Sequence, residues 1–245
     1  MDRFMYVAMT HAKNQMTSQA VRANNLANAN TVGFKADFAQ FREMPISGTG
    51  LNTRSYALTE RPGFKLEPGA FDFTGRDLDV AIADQGWFVV DTPMGEALTR
   101  DGQFQTDQDG NLINSGGFPV IGEGGPIVLP PHSSVQVTAE GDIQVFGGGN
   151  LPGFGVVVDR LKLVNPERGD VFKDKDGMVR PKNGQPLPAD ETVRVQSQGL
   201  ERSNVNAASE MVGIIEAARG YELSVKILSE AQRMDEAANS LVRAV

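Results

Sequence analysis

Proline and glycine are distributed so unevenly along this chain of 245 residues that they divide it into three parts. All 13 prolines lie between Pro45 and Pro188, and all but three of the 27 glycines lie between Gly48 and Gly199. Proline breaks the interior of a helix, and glycine weakens it. We therefore expect long helices only at the two ends of the chain, with a different kind of structure between them.

The two ends have the pattern of helices, from about residue 3 to 29 and from about 205 to 242. Apolar residues recur at spacings of three and four, which places them along one narrow stripe of each helix. Asn204 or Ser203 is expected to cap the second helix, with Glu210 close behind. Such stripes favour packing of helix on helix, and the alternative is that the helices lie on the surface of the middle region. The stripe residues are Met5, Met9, Ala12, Met16, Ala20, Ala23 and Ala27 in the first helix, and Met211, Ile215, Ala218, Tyr221, Val225, Leu228, Ala231, Met234, Ala238 and Leu241 in the second.

The middle of the chain has the sequence signals of short β-strands. Asp-Gly and Asn-Gly pairs between alternating apolar residues are strong signals of hairpin turns. The segment from Asp77 to Asp91 is rich in Val, Ile and aromatic residues and is expected to form the buried centre. Strands at this spacing favour a β-sandwich or an irregular barrel. The turn pairs are Asp101-Gly102, Asp109-Gly110, Asp176-Gly177 and Asn183-Gly184.

The expected fold class is therefore α+β. Residues 1–41 and 200–245 are predicted to form a discontinuous, coiled-coil-like domain of terminal helices. Residues 42–75 are predicted to be an extended connector, and residues 76–199 a central all-β domain.

Composition excludes several kinds of function. The chain has no cysteine and only two histidines, which removes disulfides, thiolate metal sites and a cysteine nucleophile, and leaves little histidine chemistry. A net charge of −8 argues against a nucleic-acid partner. No apolar run is long enough to span a membrane, and the first residues lack the pattern of a cleaved secretory signal.

Few motifs suggest chemistry. The Asp-rich segments 107–111 and 174–177 resemble fragments of calcium loops but lack the first and twelfth ligands, so hairpin turns are the better interpretation. Asp77 and Asp79 could share one strand face and form a carboxylate pair for sugar hydrolysis, although such acids are usually surface residues. Arg100 beside the turn residue Asp101 has the pattern of a solvated pair.

Three further stretches are distinctive and occur in a fixed order. They are Asn24 to Lys35 (NNLANANTVGFK), Phe73 to Val90 (FTGRDLDVAI followed by GWFVV), and Leu200 to Glu222 (LERSNVN, then EMV and RGYE). Each stretch is moderately specific by itself, and the set is very specific. Together they resemble the signatures of the flagellar rod and hook axial proteins.

The resemblance implies a structural subunit of the bacterial flagellar basal-body rod, the helical drive shaft that transmits torque for motility. The residues Met1-Asp2-Arg3 and the chain length are most similar to the subunit of the proximal rod, with the distal rod subunit as the alternative. The partners would be copies of itself, other rod proteins and the flagellar type III export apparatus, which would carry the chain to the periplasmic rod with its N-terminal signal uncleaved. Neither catalysis nor a cofactor, metal or nucleic acid is then expected. A different class remains as the runner-up: a secreted peptidoglycan-acting glycan hydrolase that uses the Asp77 region.

The resemblance also implies roles for particular residues. Asn24, Asn25 and Asn28 would cap turns or bridge helices, Gly33 would take a positive φ, and Phe34 would anchor the departing chain. The residues expected at subunit interfaces are Met5, Ala12, Met16, Asn24, Asn25, Leu26, Asn28, Gly33, Phe34, Asn204, Val205, Met211, Val212, Ile215, Ala218, Tyr221, Val225 and Leu228.

Overall fold

A computed structural model of the chain describes residues 2–45, 55–59, 63–147, 155–167 and 169–243. Its contacts fall into two units. The helical unit contains Met1–Ala29, Ala36–Lys65 and Val205–Val245, and the β-rich unit contains Asn30–Lys35 and Leu66–Asn204. The α+β class predicted from the sequence is confirmed.

In the described residues, the helical unit is built from two long helices and four short strands. The helices are α1 (Asp2–Ala27) and α2 (Ala207–Arg243), and the strands are β1 (Asp37–Phe38), β2 (Phe41–Pro45), β3 (Ser55–Thr59) and β4 (Gly63–Phe64). Strand β1 pairs with β4 and β2 pairs with β3, both antiparallel. The two helices form where proline is absent, as the sequence predicts.

The β-rich unit consists of sixteen short strands in the described part of the chain. They are β5 (Phe71–Phe73), β6 (Val80–Ile82), β7 (Trp87–Thr92), β8 (Gly95–Thr99), β9 (Gln105–Thr106), β10 (Leu112–Ile113), β11 (Ile121–Gly122), β12 (Gly125–Pro126), β13 (Ser134–Val137), β14 (Asp142–Phe146), β15 (Val156–Arg160), β16 (Leu163–Val164), β17 (Val171–Lys173), β18 (Val179–Pro181), β19 (Val195–Ser197) and β20 (Gly199–Glu201). A five-stranded antiparallel sheet has the order β16-β7-β8-β18-β17, and a three-stranded sheet has the order β13-β14-β15. Strand β5 pairs with β20, and β6 pairs with β19.

The core of the β-rich unit lies where the sequence predicts it. Val80, Phe88 and Val90 from the predicted central segment are fully buried. Phe88 meets Phe104 edge to face, with ring centroids 5.2 Å apart. This geometry is the one that aromatic quadrupoles favour.

Two of the four predicted turns join hairpins and two do not. Asp109-Gly110 joins β9 to β10 and Asp176-Gly177 joins β17 to β18, each with its glycine at positive φ. The prediction of a hairpin at Asn183-Gly184 is wrong, because the strands before and after it, β18 and β19, lie in different sheets. The prediction of a hairpin at Asp101-Gly102 is wrong, because the flanking strands β8 and β9 lie in different sheets. Gly102 lies so close to the carbonyl of Val80 that a Cβ atom would clash with it.

The boundaries between the two units differ from those expected from the sequence. Residues 36–65 belong with the helices and residues 66–75 with the β-rich unit, so the segment 42–75 is shared between the two. The reason is local pairing, since β2 finds its partner in β3 whereas β5 finds its partner in β20. Neither helix, over the residues described, has an apolar stretch long enough to cross a bilayer.

Candidate functional site

The helices α1 and α2 pack antiparallel along a narrow line, here called the seam, whose buried residues are Ala8, Ala12, Ala217, Ser224 and Ala231. Contacts across the seam keep a constant register. His11 Nδ1 lies 2.8 Å from Ser224 Oγ. Arg22 donates to Glu210 at 3.3 Å. Both pairs of residue numbers have nearly the same sum, as an antiparallel helix pair requires.

The seam is made of small residues at coiled-coil spacing. Ala217, Ser224 and Ala231 are seven residues apart, and each is at least 97% buried. A Cβ atom on Gly213 would clash with the guanidinium of Arg22, and one on Gly220 would lie 2.9 Å from Gln15 Cδ. The seam therefore brings two backbones close together while it buries little apolar side chain.

The large apolar side chains of the same two helices point away from the seam. Ile215 is 53% exposed, Met16 56% and Val225 45%. The exposed large apolar residues of α1 and α2 in the described part of the chain are Tyr6, Val7, Met9, Met16, Met211, Val212, Ile215, Tyr221, Leu223, Val225 and Met234. Large apolar side chains left exposed in this number make the two helices a candidate interaction surface.

The residues expected at interfaces fall into three groups by burial. Ala12 and Asn25 are buried inside the helical unit. Half-buried are Met5, Leu26, Asn28, Gly33, Phe34, Asn204, Val205, Ala218 and Leu228. Exposed are Met16, Asn24, Met211, Val212, Ile215, Tyr221 and Val225. The second and third groups are the ones that a neighbouring molecule could reach.

Asn25 and Asn28 take the local roles that were expected of them. Asn25 Nδ2 donates to the carbonyl of Asp37 at 2.8 Å and to Glu210 at 3.3 Å, so Asn25 bridges α1, α2 and β1. Its Oδ1 accepts from the backbone N–H of Asp37. Asn28 Nδ2 donates to the carbonyl of Asn24 and so closes the end of α1.

The expected cap of the second helix is wrong. The helix begins at Ala207, and Asn206 Oδ1 accepts a hydrogen bond from the backbone N–H of Ser209 at 3.1 Å, which is the geometry of an N-cap residue. Asn204 instead donates its side-chain amide to the carbonyl of Glu67. Several residues before this helix are of types that form N-caps. The sequence alone does not show which of their side chains are already hydrogen-bonded elsewhere.

A cluster of three buried charges lies within the β-rich unit. Glu201 binds Lys35 Nζ at 2.6 Å through one carboxylate oxygen and Arg100 at 2.8 Å through the other. Each of the three residues is at least 96% buried. Arg100 also donates to the carbonyl of Asp84 and lies over the ring of Trp87, 5.6 Å from its centroid. The interpretation of Arg100 as a solvated pair with Asp101 is therefore wrong.

Backbone groups around this charge cluster donate hydrogen bonds to Glu201 or lie in close contact with Arg100. Burial lowers the pKa of Lys35 below its ordinary value, and the carboxylate of Glu201 opposes that shift. Gly69 N–H donates to Glu201 Oε1, and Gly33 N–H donates to the carbonyl of Glu201. Gly33 has a φ of 66°, as expected, and a Cβ there would clash with the backbone of Arg100.

Sequence reasoning missed the charge cluster because its members lie far apart in the chain, although a signal was available. Lys35 ends the first distinctive stretch, and Glu201 stands at the start of the third. This position within two of the distinctive stretches is the signal that could have pointed to Lys35 and Glu201. The position of Arg100 beside an Asp-Gly turn offered no such signal.

The residues considered for catalysis or metal binding have other partners. Asp79 is buried and accepts from Thr74 Oγ1 at 2.6 Å, whereas Asp77 is exposed, so the two do not face one open site. Asp107 accepts from the backbone of Asp109 and Asn111, as a turn residue does. No group of three or more acidic or histidine side chains in the described residues is arranged to hold a metal ion.

Comparison with known proteins identifies the family to which the chain belongs. Three family models match: a flagella basal body rod protein model over residues 5–35, the D1 domain of the flagellar hook protein FlgE/F/G over 81–145, and the C-terminal part of the basal body rod FlgEFG proteins over 196–241. The flagellar basal-body rod proteins FlgF of Salmonella typhimurium and of Escherichia coli are each 39% identical over 99% of both chains. A rod protein FlgG of Buchnera aphidicola is 30% identical over 94% of this chain and 96% of its own length. The chain belongs to the family of flagellar basal-body rod proteins, and it is more similar to these FlgF proteins than to that FlgG.

Proposed function

We propose that this chain is a structural subunit of the flagellar basal-body rod and that its two long helices form the surface by which it assembles. The observation that carries the proposal is the exposure of large apolar side chains on α1 and α2. Of the seventeen large apolar side chains exposed in the described part of the chain, eleven belong to these two helices. A rod built from repeated heterologous contacts would bury them between subunits.

In this proposal the β-rich unit is not part of the assembly surface. It fills its own core with Phe88, Phe104 and their neighbours, and the buried Glu201 pairs with Lys35 and Arg100 of the same unit. It therefore does not need a neighbouring subunit to complete its fold. Torque passes through many buried contacts in such an assembly, and no catalytic step is needed.

The position in the rod is that of FlgF, the proximal subunit. Support comes from the identity of 39% to two FlgF proteins over nearly the full chain, against 30% to a FlgG protein. Its partners are copies of itself and the other proteins of the rod. The chain reaches the periplasm through the flagellar type III export apparatus with its N-terminal segment retained. Deletion of residues 5–35, the segment that matches the rod-protein model, should keep the chain in the cytoplasmic fraction of flagellated cells.

The substitution Ile215→Asp tests the assembly surface. Ile215 is half exposed in the single chain, so the aspartate stays hydrated there and the subunit should fold normally. Between subunits the charge would be buried without a partner, at a cost of at least several kcal/mol for each contact. We expect cells with only this variant to build no rod and to lose motility. Unfolding of the β-rich unit, followed by the fluorescence of Trp87, should be unchanged.

Glu216→Gln is the matched control, because Glu216 is the exposed neighbour of Ile215 and points about 100° away from it around the helix. We expect this variant to swim normally. Normal swimming with Ile215→Asp would refute the assembly surface. Unfolding of the purified monomer by Ile215→Asp would show that α2 belongs to a core of the single chain.

A further inference from the structure

Residues 30–35 belong to the β-rich unit, although the residues before and after them in the sequence belong to the helical unit. This segment, here called the strap, contains no strand. The start of the third distinctive stretch holds its main chain at two points. Gly33 N–H donates to the carbonyl of Glu201 at 2.8 Å. The backbone N–H of Asn204 donates to the carbonyl of Phe34 at 3.3 Å. The strap therefore joins the first distinctive stretch of the chain to the third.

Two lysine side chains also hold the strap. Lys173 Nζ donates to the carbonyl of Lys35 at 2.9 Å and lies 3.9 Å from the centroid of the Phe34 ring. Lys35 Nζ donates to the carbonyl of Glu67 at 2.9 Å and binds the carboxylate of Glu201 at 2.6 Å. Phe34 itself is only half-buried. These contacts are mainly polar, and they lie at the end of the strap.

Among the described residues, the hydrophobic core of the β-rich unit contains no residue of the strap. The buried members of this core, and the partly buried residues packed against them, all lie between Leu78 and Val195 in the sequence. Burial of apolar surface is the dominant favourable contribution to folding. The main stabilisation of the β-rich unit therefore does not depend on the strap.

The charge cluster remains balanced when the strap is removed from it. Lys35 would leave with the strap, whereas Arg100 and Glu201 would stay 2.8 Å apart as a pair of opposite charges. Arg100 would keep its hydrogen bond to the carbonyl of Asp84, and Glu201 would keep the one from Gly69 N–H. Lys35 would be hydrated in the open strap. No buried charge would then be left without a partner, which is the costly outcome when a buried ion pair is broken.

We propose that the strap is a latch, which closes on a β-rich unit that has already folded and opens without unfolding of its core. The inference goes beyond the proposed function and does not depend on it. Partners of Lys35 lie 138 and 166 positions farther along the chain, so the strap closes only after the end of the β-rich unit is in place. Proteins open locally at free energies below that of global unfolding where few apolar contacts hold a segment.

Amide hydrogen exchange of the purified full chain, at urea concentrations well below the unfolding midpoint, tests the proposal. Gly33 N–H reports on the strap, and Leu112 N–H, which donates to the carbonyl of Ile127 at 2.9 Å, reports on the core. An opening that exposes little surface depends little on urea. We expect Gly33 to exchange faster than Leu112 and almost independently of urea, whereas exchange of Leu112 should rise steeply with urea. The same rate and the same urea dependence at both amides would overturn the proposal.

The variant Gly33→Ala should shift the strap toward the open state. Gly33 has a φ of 66°, and a Cβ atom there would clash with the backbone of Arg100. Gly184→Ala is the matched control in the same unit, because Gly184 has a φ of 67° but nothing within 4 Å of an added Cβ. The reporter is Lys35, which is 97% buried in the closed strap. Its reaction with an amine-labelling reagent, followed by mass spectrometry, should be about tenfold or more faster in Gly33→Ala than in the control. Equal labelling in the two variants would contradict the latch.

A larger side chain at the same position gives an independent readout. Once the strap is open, residue 33 no longer meets the backbone of Arg100, so the loss of stability should reach a limit. Gly33→Val should therefore lower the urea midpoint of Trp87 fluorescence no further than Gly33→Ala does. In a closed core, by contrast, the cost of overpacking grows with the volume that is added. A further loss from Gly33→Ala to Gly33→Val, or failure of Gly33→Ala to fold, would show that the strap is part of the core and would overturn the proposal.

Discussion

The two units of this protein bury opposite kinds of residue. The β-rich unit buries phenylalanine, valine and isoleucine, together with three charged side chains in which Glu201 pairs with both Lys35 and Arg100. The helix pair buries alanine, serine and asparagine and leaves methionine, isoleucine and valine exposed. Burial of apolar surface stabilises a fold by about 25 cal/mol per Å². The β-rich unit therefore gains most of this free energy within one chain, whereas the helix pair can gain it only from neighbours.

The difference explains how one chain can be both a stable subunit and part of a larger assembly. A helix pair with a small-residue seam is specific in register but only weakly stabilised by its own contacts. The β-rich unit, by contrast, buries its core residues within its own chain and does not offer them to a partner. Each of the following predictions concerns a substitution in one of the two units.

The largest effect on the single chain should come from Glu201→Gln. The substitution removes the only carboxylate shown to pair with Lys35 and Arg100 in the described structure, and it leaves two buried cations side by side. Loss of one partner from a buried ion pair costs about 3–5 kcal/mol. Urea unfolding followed by the fluorescence of Trp87, the only tryptophan of the chain, should show this loss. Glu140→Gln, at an exposed carboxylate of the same unit, should change the midpoint little; equal effects of both would contradict the role of the cluster.

A smaller effect is expected from Ala217→Leu in the helix pair. Ala217 is 97% buried in the seam, and three extra carbon atoms would force the two helices apart. Overpacking of this kind costs about 1–3 kcal/mol. Thermal loss of helical circular dichroism should begin at a lower temperature, while the Trp87 signal stays unchanged. Ala20→Leu, at an exposed position of α1, should not destabilise the single chain, and a similar loss there would mean that the seam is placed wrongly.

The smallest effect concerns acid pH and the β17–β18 hairpin. A hydrogen bond from Arg180 lowers the pKa of Asp176 below its ordinary value of 3.8, although burial opposes the shift. A carboxylate with a lowered pKa contributes stability above 3.8, and this contribution is lost as the pH falls through the folded-state pKa. Asp176→Asn should therefore reduce the free energy of unfolding at pH 7 by about 1 kcal/mol or less, since the pair is partly exposed. The difference from the unsubstituted chain should begin to shrink as the pH falls below 3.8 and should vanish once the pH is below the lowered folded-state pKa. A difference that persists at that acidity would exclude this ion pair as its cause.

Some features of the fold follow from local sequence alone. Proline and glycine restrict the backbone wherever they stand, so their absence from the ends permits α1 and α2 to form. Gly33 at the end of a helical pattern predicts a positive φ for the same local reason. The spacing of Met211, Ile215, Ala218 and Val225 likewise identifies one stripe of α2, since helical periodicity needs no tertiary contact.

Other features depend on residues that are remote in sequence. Glu201 is separated from Arg100 by 101 positions and from Lys35 by 166, so no local pattern could predict that the three meet. The N-cap at Asn206 was missed because Asn204 is engaged by the carbonyl of Glu67. The position of β5 beside β20, which divides the expected connector, is also a long-range pairing.

The sequence by itself therefore determined the order of helix, β-rich region and helix, the family of the protein and the stripe of apolar residues on each terminal helix. Only the tertiary structure decided which residues of those helices face each other. Ala217 and Ile215 are two positions apart in one amphipathic helix, and composition would favour Ile215 as the buried residue. The close approach of α1 reverses this choice, because only small side chains fit between two backbones at that distance, and the larger apolar residues are left for another molecule.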